Sequence, residues 1–180
     1  MRVQTGTAKG RKLKSPSGSD IRPTSSRVKK SIFDRLGNID GAYVLDLFAG
    51  TGSLGIEALS RNAEHVVFIE RDRTAASVIR ENIEKCGFNA KTKVISADYT
   101  KAVRILQEGS ERFNLVFIDP PYNVYKAKIP SDFVNEIREL LETPWEIVVE
   151  HDKVYNLDGS ANYIETRGYG STQVSYFRND

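Results

Sequence analysis

Cysteine, histidine, methionine and tryptophan are nearly absent from this 180-residue chain, which has one Cys, two His, one Met and one Trp. A single cysteine, Cys86, excludes an internal disulfide framework and suits a reducing cytoplasm, the expected location. Near the end of a predicted helix, it reads as inert packing. His65, His151 and Cys86 are too few for a zinc site, which takes about four Cys or His ligands at characteristic spacing, so no metal is expected. His65 reads as the start of a strand, and His151 as a solvated residue near the end of another. No apolar run approaches the roughly 20 residues of a membrane span, so no membrane partner is expected. The opening Met1-Arg2-Val3-Gln4-Thr5-Gly6 lacks the apolar segment of a signal peptide. With 39% hydrophobic residues the chain can bury one core, and one compact domain is expected.

Net charge is also small, but its distribution is lopsided. Residues 1–40 carry ten Lys/Arg against Asp20, Asp34 and Asp40, a local +7 that leaves −5 for the rest of a chain whose net charge is +2. Residues 1–40 therefore read as a basic N-terminal hairpin and helix extension, and residues 41–180 as the main domain. A basic segment beside an acidic body fits a polyanionic partner. Gly10-Arg11-Lys12-Leu13-Lys14 and Arg22-Pro23-Thr24 are more organised than a solvated charge run and point to nucleic acid, with Arg11, Lys12, Lys14, Arg22 and Arg27 as candidate contacts.

Residues 1–22 read as a hairpin or loop. Thr24 or Ser25 can cap a helix through about Leu36, with Val28, Ile32, Phe33 and Leu36 on one face and Gly37 at its end. From residue 42 strands alternate with helices. Strands are predicted near 42–47, 65–70, 91–97, 113–118 and 145–150, and helices near 53–61, 73–86, 99–108 and 131–142. Gly87 and Gly109 sit where C-terminal caps belong, and Ser131 where an N-cap belongs. Alternation of this kind predicts an α/β, doubly wound, Rossmann-like fold with a mostly parallel sheet. Two closing strands near 161–166 and 172–178, joined by Arg167-Gly168-Tyr169-Gly170-Ser171, predict an antiparallel C-terminal hairpin.

Within that frame Gly50, Gly52 and Gly55 fit G-x-G-x-x-G between a strand and a helix, the setting of a nucleotide-cofactor loop. Glu70 lies 20 residues past Gly50, where a carboxylate for a ribose diol is expected. Asp46, four residues before Gly50, would repel the pyrophosphate of a nicotinamide dinucleotide but suits a cationic ligand. S-adenosylmethionine has a sulfonium, an ammonium, a ribose and no phosphate, and is favoured over NAD. Ile56-Glu57 stands where a P-loop needs Lys-Ser/Thr, and Thr51 replaces the glycine that a nucleophile elbow needs before Ser53. Asp46, Glu70, Asp98 and Asp119 all fall at predicted strand ends, the rim where open α/β sheets bind ligands.

Asp119-Pro120-Pro121-Tyr122 follows the apolar run Leu115-Val116-Phe117-Ile118. Proline lacks an N–H and pushes the residue before it to extended geometry, so this segment leaves its strand stiff. A stiff turn presents the Asp119 carboxylate and the Pro120 carbonyl as two fixed acceptors. A planar amino group with two N–H donors is what such a pair would hold, with Tyr122 stacked on the ring that carries it.

With Asp46-Leu47-Phe48-Ala49-Gly50-Thr51-Gly52-Ser53-Leu54-Gly55, Glu70, Asp98 and Asp119-Pro120-Pro121-Tyr122 in this order, the chain resembles class I S-adenosylmethionine-dependent N-methyltransferases. More narrowly, it resembles the bacterial RsmD-like family, which methylates N2 of one guanine in 16S rRNA of the small ribosomal subunit. Gly10-Arg11-Lys12-Leu13, Arg22-Pro23-Thr24 with Arg27-Val28, and Glu57-Ala58-Leu59-Ser60-Arg61 carry the narrower match. The resemblance implies that Gly50, Gly52 and their neighbours Phe48, Ala49 and Thr51 hold the methionine end with Asp46. It implies that Glu70, beside Arg71, holds the ribose and that Asp98, beside Tyr99, holds the adenine amine. Asp119, Pro120, Pro121 and Tyr122 would receive the guanine. Thr51 and Ser53 stand where relatives often have Ser and Ala, and nothing is carried over onto residues 123–130. Guanine, rather than adenine N6 in DNA, rests on this resemblance alone. A protein-glutamine methyltransferase, an NAD oxidoreductase and a non-catalytic ribosome-assembly RNA-binding module are the other readings.

Overall fold

The computed structural model describes residues 1–16 and 25–180, without the side chains of Tyr122 and Asn123. Arg22 and Thr24 lie outside the described residues. Five runs become the parallel strands of a central sheet; those at 43–46, 65–69 and 113–118 are short, apolar and largely buried on both faces, whereas the edge run 92–95 is half-buried with Lys93 exposed. These are β1 (Tyr43–Asp46), β2 (His65–Ile69), β3 (Thr92–Ile95), β4 (Phe113–Ile118) and β5 (Leu141–His151). They are joined through α2 (Ser53–Ser60), α3 (Arg73–Cys86), α4 (Tyr99–Gln107) and α5 (Pro130–Glu136), and α1 (Ser26–Leu36) precedes them. The closing hairpin, β6 (Tyr163–Tyr169) and β7 (Thr172–Asn179), adds β7 antiparallel to β5, giving the order β3-β2-β1-β4-β5-β7-β6. The mostly parallel sheet with an antiparallel C-terminal hairpin is the architecture expected from the sequence.

Alternation along the strands divides the core into two layers. Val44, Val66, Phe68, Leu115, Phe117, Val148 and Tyr176 pack beneath the N-terminal segment, α1, α2 and α3. Leu45, Leu47, Val67, Ile69, Val116, Ile118, Ile147 and Phe177 pack with residues of α4 and α5. Gly55 sets how closely α2 lies on the sheet: a Cβ there would stand 2.3 Å from Cε1 of Phe68. This is the helix–strand contact for which the third glycine of the motif is needed.

The first 14 residues fold back on themselves as an arm. Val3 N–H donates to Arg11 O at 3.0 Å and Leu13 N–H to Met1 O at 3.0 Å, with a bridge between Arg2 and Lys12. Val3, Ala8 and Leu13 bury into the same apolar layer as Ile32 and Phe33 of α1.

Several boundaries differ from expectation. α5 is capped by Ile129 rather than Ser131, with Pro130 in its first turn, and ends at Glu136. A 3-10 turn, Arg138–Leu140, follows, and the strand begins at Leu141. The apolar spacing of Phe133, Val134, Ile137 and Leu140 continues through that turn and reads as one helix. The β4–β5 ladder pairs Phe113 with Leu141 and then jumps to Leu115 with Glu146, so Pro144 falls where the register shifts. α4 is capped by Glu108, one residue before Gly109, whereas Gly87 caps α3 in the left-handed conformation. β3 is confined to Thr92–Ile95. Ser25 caps α1, accepting from Val28 N–H.

Candidate active site

Strand order reverses between β1 and β4: the chain moves from β1 outward to β2 and β3, then returns to lay β4 on the other side. At such a switch point the loops leaving adjacent strands turn opposite ways and open a crevice. Leu47 N–H bonds Phe117 O at 2.9 Å, which places the end of β1 beside the last residues of β4. The glycine loop and the Asp119-Pro120 corner therefore leave the sheet side by side.

Gly50 and Gly52 have φ of 53° and 76°, the left-handed region that glycine enters without strain. Gly52 N–H donates to Ala49 O at 2.7 Å, closing the turn, and Ser53 begins α2. Asp46, only 2% exposed, stands behind this loop and accepts from Gly55 N–H at 3.0 Å. Burial pushes its pKa up to about 7, helped by the Asp119 and Glu70 charges and opposed by the Gly55 bond. Those couplings show that the acids of β1, β2 and β4 converge on one place. Glu70 accepts from Gly50 N–H at 2.9 Å and from Asp72 N–H at 2.8 Å, tying the end of β2 to the loop. A carboxylate has about four acceptor positions, and these bonds use two. Asp98 caps α4 and accepts from Thr100 N–H at 3.0 Å. Arg71 is exposed.

Asp119 is half-buried, Pro120 buried and Pro121 exposed. Pro121 O accepts from Val124 N–H at 2.9 Å, so the corner turns directly into the 3-10 segment Tyr122–Lys126. The Tyr122 ring lies outside the described residues. Phe48 packs on Tyr99 at 4.9 Å and edge-on to Phe133 at 5.9 Å, forming an aromatic wall under the loop.

The residues present suit an adenosyl-sulfonium ligand. A bare-backbone loop lies between a strand and a helix, a buried acid behind it is held short of full ionisation, and carboxylates follow at the next two strand ends. Of the basic residues expected to meet nucleic acid, Arg11, Lys12, Lys14 and Arg27 are exposed. Arg11 donates to Lys85 O at 2.6 Å, Lys14 pairs with Glu81 at 2.5 Å, and Lys85 Nζ donates to Lys12 O at 2.7 Å. The arm is thus held along α3 rather than extended. A hollow of about 540 Å³ at the far end of α2, lined by Gly6, Asn38, Arg61 and Asn62 among others, holds none of these groups.

The sequence model of the family described as conserved hypothetical protein 95 matches residues 1–178. The chain belongs to this family. Over 182 aligned positions it is 38% identical to "Putative rRNA methyltransferase YlbH" of Bacillus subtilis, covering 99% of this chain and 98% of that one. It is 39% identical over 134 positions to "Ribosomal RNA small subunit methyltransferase D" of Haemophilus influenzae, covering 71% of this chain and 67% of the relative. A solved structure, "Putative methyltransferase yhhF" from Escherichia coli, superposes with a TM-score of 0.81 at 27% identity, covering 99% of this chain and 98% of that one.

The contacts around the corner include residues that the motifs do not reveal. Tyr125 is buried, donates to Glu150 O at 2.5 Å and packs edge-on to Phe133. Burial, then the Asp119 charge, raise its pKa, so it stays a neutral phenol behind the corner. Lys128 caps the wall from the other side, over the Tyr99 ring at 5.0 Å and bonded to the Tyr99 hydroxyl and Glu136. Both lie in 123–130, where no motif marks them.

His151, expected in solvent, is 1% exposed. Its Nδ1 lies 2.6 Å from Lys153 O, which can only accept, so Nδ1 carries the hydrogen and Nε2 accepts from the Ser175 hydroxyl at 2.8 Å. Burial lowers its pKa and keeps it neutral. The Tyr125 ring that covers it comes from 26 residues earlier, while Tyr155 folds back from four residues on, in a segment with no regular periodicity to reveal the contact.

Proposed function

We propose that this chain transfers the methyl group of S-adenosylmethionine to the exocyclic N2 amine of a guanine in 16S rRNA of the small ribosomal subunit. Membership of a family that includes a small-subunit rRNA methyltransferase supports the reading, as does the basic arm. The observation that carries it is the adjacency of the glycine loop and the Asp119-Pro120 corner at the β1/β4 switch point.

Gly50, Gly52 and Asp46 would hold the methionine end, Glu70 the ribose and Asp98 the adenine amine, with Phe48, Ala49, Thr51, Arg71 and Tyr99 around them. The cofactor supplies an electrophilic methyl carbon on a sulfonium. The N2 lone pair of guanine is delocalised into the ring and is a poor nucleophile. The Asp119 carboxylate and the Pro120 carbonyl accept its two N–H bonds, turning the lone pair toward the cofactor side of the crevice. Positioning of this kind supplies much of the acceleration. Asp119 need not be a strong base, because the amine proton becomes acidic once nitrogen is alkylated. We assign Tyr122 to stacking on the base, worth about 1–3 kcal/mol on comparable platforms. The base must leave its stack to enter, which an unpaired nucleotide does most readily.

The assay that tests this reading supplies tritiated S-adenosylmethionine with 30S subunits, naked 16S rRNA and DNA. Label is expected on guanine N2 of the rRNA. Label on DNA adenine alone, or on no nucleic acid, sinks the reading.

Asp46 gives the cofactor step a pH signature. Its folded pKa lies above its ordinary value of 3.8, at about 7, so folded Asp46 keeps a proton that the unfolded chain releases in between. Folding stability from this group therefore falls as pH rises through that window. A cationic ligand favours the ionised form, so cofactor affinity moves the other way. It should rise about tenfold between about pH 6 and about pH 8 by calorimetry. Asp46→Asn should bind with no such dependence, and a slope that persists in it assigns the titration elsewhere.

A further inference from the structure

The two ends of the arm are each tied to the glycine loop by one buried side chain. At one end, Lys29 of α1, 1% exposed, donates from Nζ to Arg2 O at 3.1 Å and to Ser53 Oγ at 3.2 Å, and pairs with Glu57 at 3.2 Å. Ser53 is the residue directly after Gly52. At the other end, Asn82 of α3 is 0% exposed and clasps the Lys14 backbone. Its Oδ1 accepts from Lys14 N–H at 2.7 Å and its Nδ2 donates to Lys14 O at 3.1 Å. The same Nδ2 donates to Thr51 O at 3.1 Å, the carbonyl between Gly50 and Gly52.

An ammonium and an amide this deeply buried are held to their partners, because an orphaned polar group in the interior is strongly unfavourable. Shifting the arm at Arg2 or Lys14 therefore pulls on Ser53, the first residue of α2 where the loop ends, or on Thr51, between two glycines that give the loop little stiffness of its own. Both bridges run through side chains that the transfer chemistry does not use. Neither is needed merely to cover apolar surface, which Val3, Ala8 and Leu13 already do.

We propose that Lys29 and Asn82 are positioning residues that couple the arm to the cofactor loop, so that RNA held by the arm tightens cofactor binding and cofactor tightens RNA binding. The inference rests on the reading that the loop binds the adenosyl cofactor and the arm binds rRNA. Coupling of binding sites is reciprocal and commonly spans about 5- to 150-fold.

The test measures S-adenosylhomocysteine affinity of the full-length protein with and without transcribed 16S rRNA. In the wild type the RNA should tighten binding about tenfold. In Asn82→Ala, and independently in Lys29→Met, the ratio should fall toward one, even where both binary affinities also weaken. A purely structural role would lower the affinities and leave the ratio unchanged. A wild-type ratio of one, or an unchanged ratio in both variants, overturns the proposal. Should the variants not fold, hydrogen exchange on the wild type decides: S-adenosylhomocysteine alone should slow exchange in residues 1–14, and unaltered exchange there overturns it. A wild type that binds neither the cofactor product nor RNA instead brings down the functional reading beneath it.

Discussion

Asp119→Ala is expected to lower methyl transfer by about three orders of magnitude, or about 4 kcal/mol of barrier, while cofactor binding persists. The carboxylate is one of two acceptors proposed for the target amine, and alanine leaves only the Pro120 carbonyl. The amine then keeps its planar geometry and its delocalised lone pair. The bonds that hold the glycine loop to Ala49 O, Glu70 and Asp46 all remain in this variant. A second readout needs no turnover. The Asp119 charge is one cause of the raised Asp46 pKa, so its removal should move the midpoint of pH-dependent cofactor binding toward acid. Near-normal turnover in this variant would falsify the assigned role, and an unmoved midpoint would show that the two acids do not share a crevice.

Glu57→Ala is expected to destabilise the fold by about 3–5 kcal/mol, measured by urea denaturation. Glu57 is 0% exposed and gathers four donors: Gln4 N–H at 2.8 Å, Thr5 N–H at 3.0 Å, Lys29 at 3.2 Å and Arg61 at 3.2 Å. Alanine leaves two backbone amides without their acceptor and a buried ammonium without its counter-charge, held only by Arg2 O and Ser53 Oγ. Burial already pulls the Lys29 pKa down, and the Glu57 charge pulls it back up. Without the acid, the amine must shed its proton or open the core. Glu57→Leu combined with Lys29→Met should recover part of the loss, because it removes both charges. Full recovery is not expected, since Gln4 and Thr5 still lack an acceptor. A loss under about 1 kcal/mol would mean that water replaces the carboxylate.

The glycine loop and the proline corner are legible in sequence because their chemistry is local. Positive φ demands glycine, a proline pair demands extended backbone, and acids at strand ends follow from strand periodicity. The two-layer sheet is legible for the same reason, since runs such as Val66-Val67-Phe68-Ile69 bury on both faces. Lys29, Glu57 and Asn82 are not legible, because a charged or amide side chain on a helix ordinarily reads as a solvated face. Yet Ser53-Leu54-Gly55-Ile56-Glu57-Ala58-Leu59-Ser60 is buried at every position. A lone acid in so apolar an octet is itself a signal that a buried cation must meet it. The partner, 28 residues earlier, is fixed only by the fold. Tyr125 and Lys128 escape in part for the same reason: Tyr125 meets Glu150 and His151, and Lys128 meets Tyr99, across segments that the chain order keeps apart.

The clasp of Lys14 by Asn82 joins positions 68 residues apart, so the arm has no seat until α3 is packed on the sheet. Local opening of α3 would therefore release Arg11, Lys12 and Lys14 together, and the cationic edge of the molecule is only as fixed as that one helix.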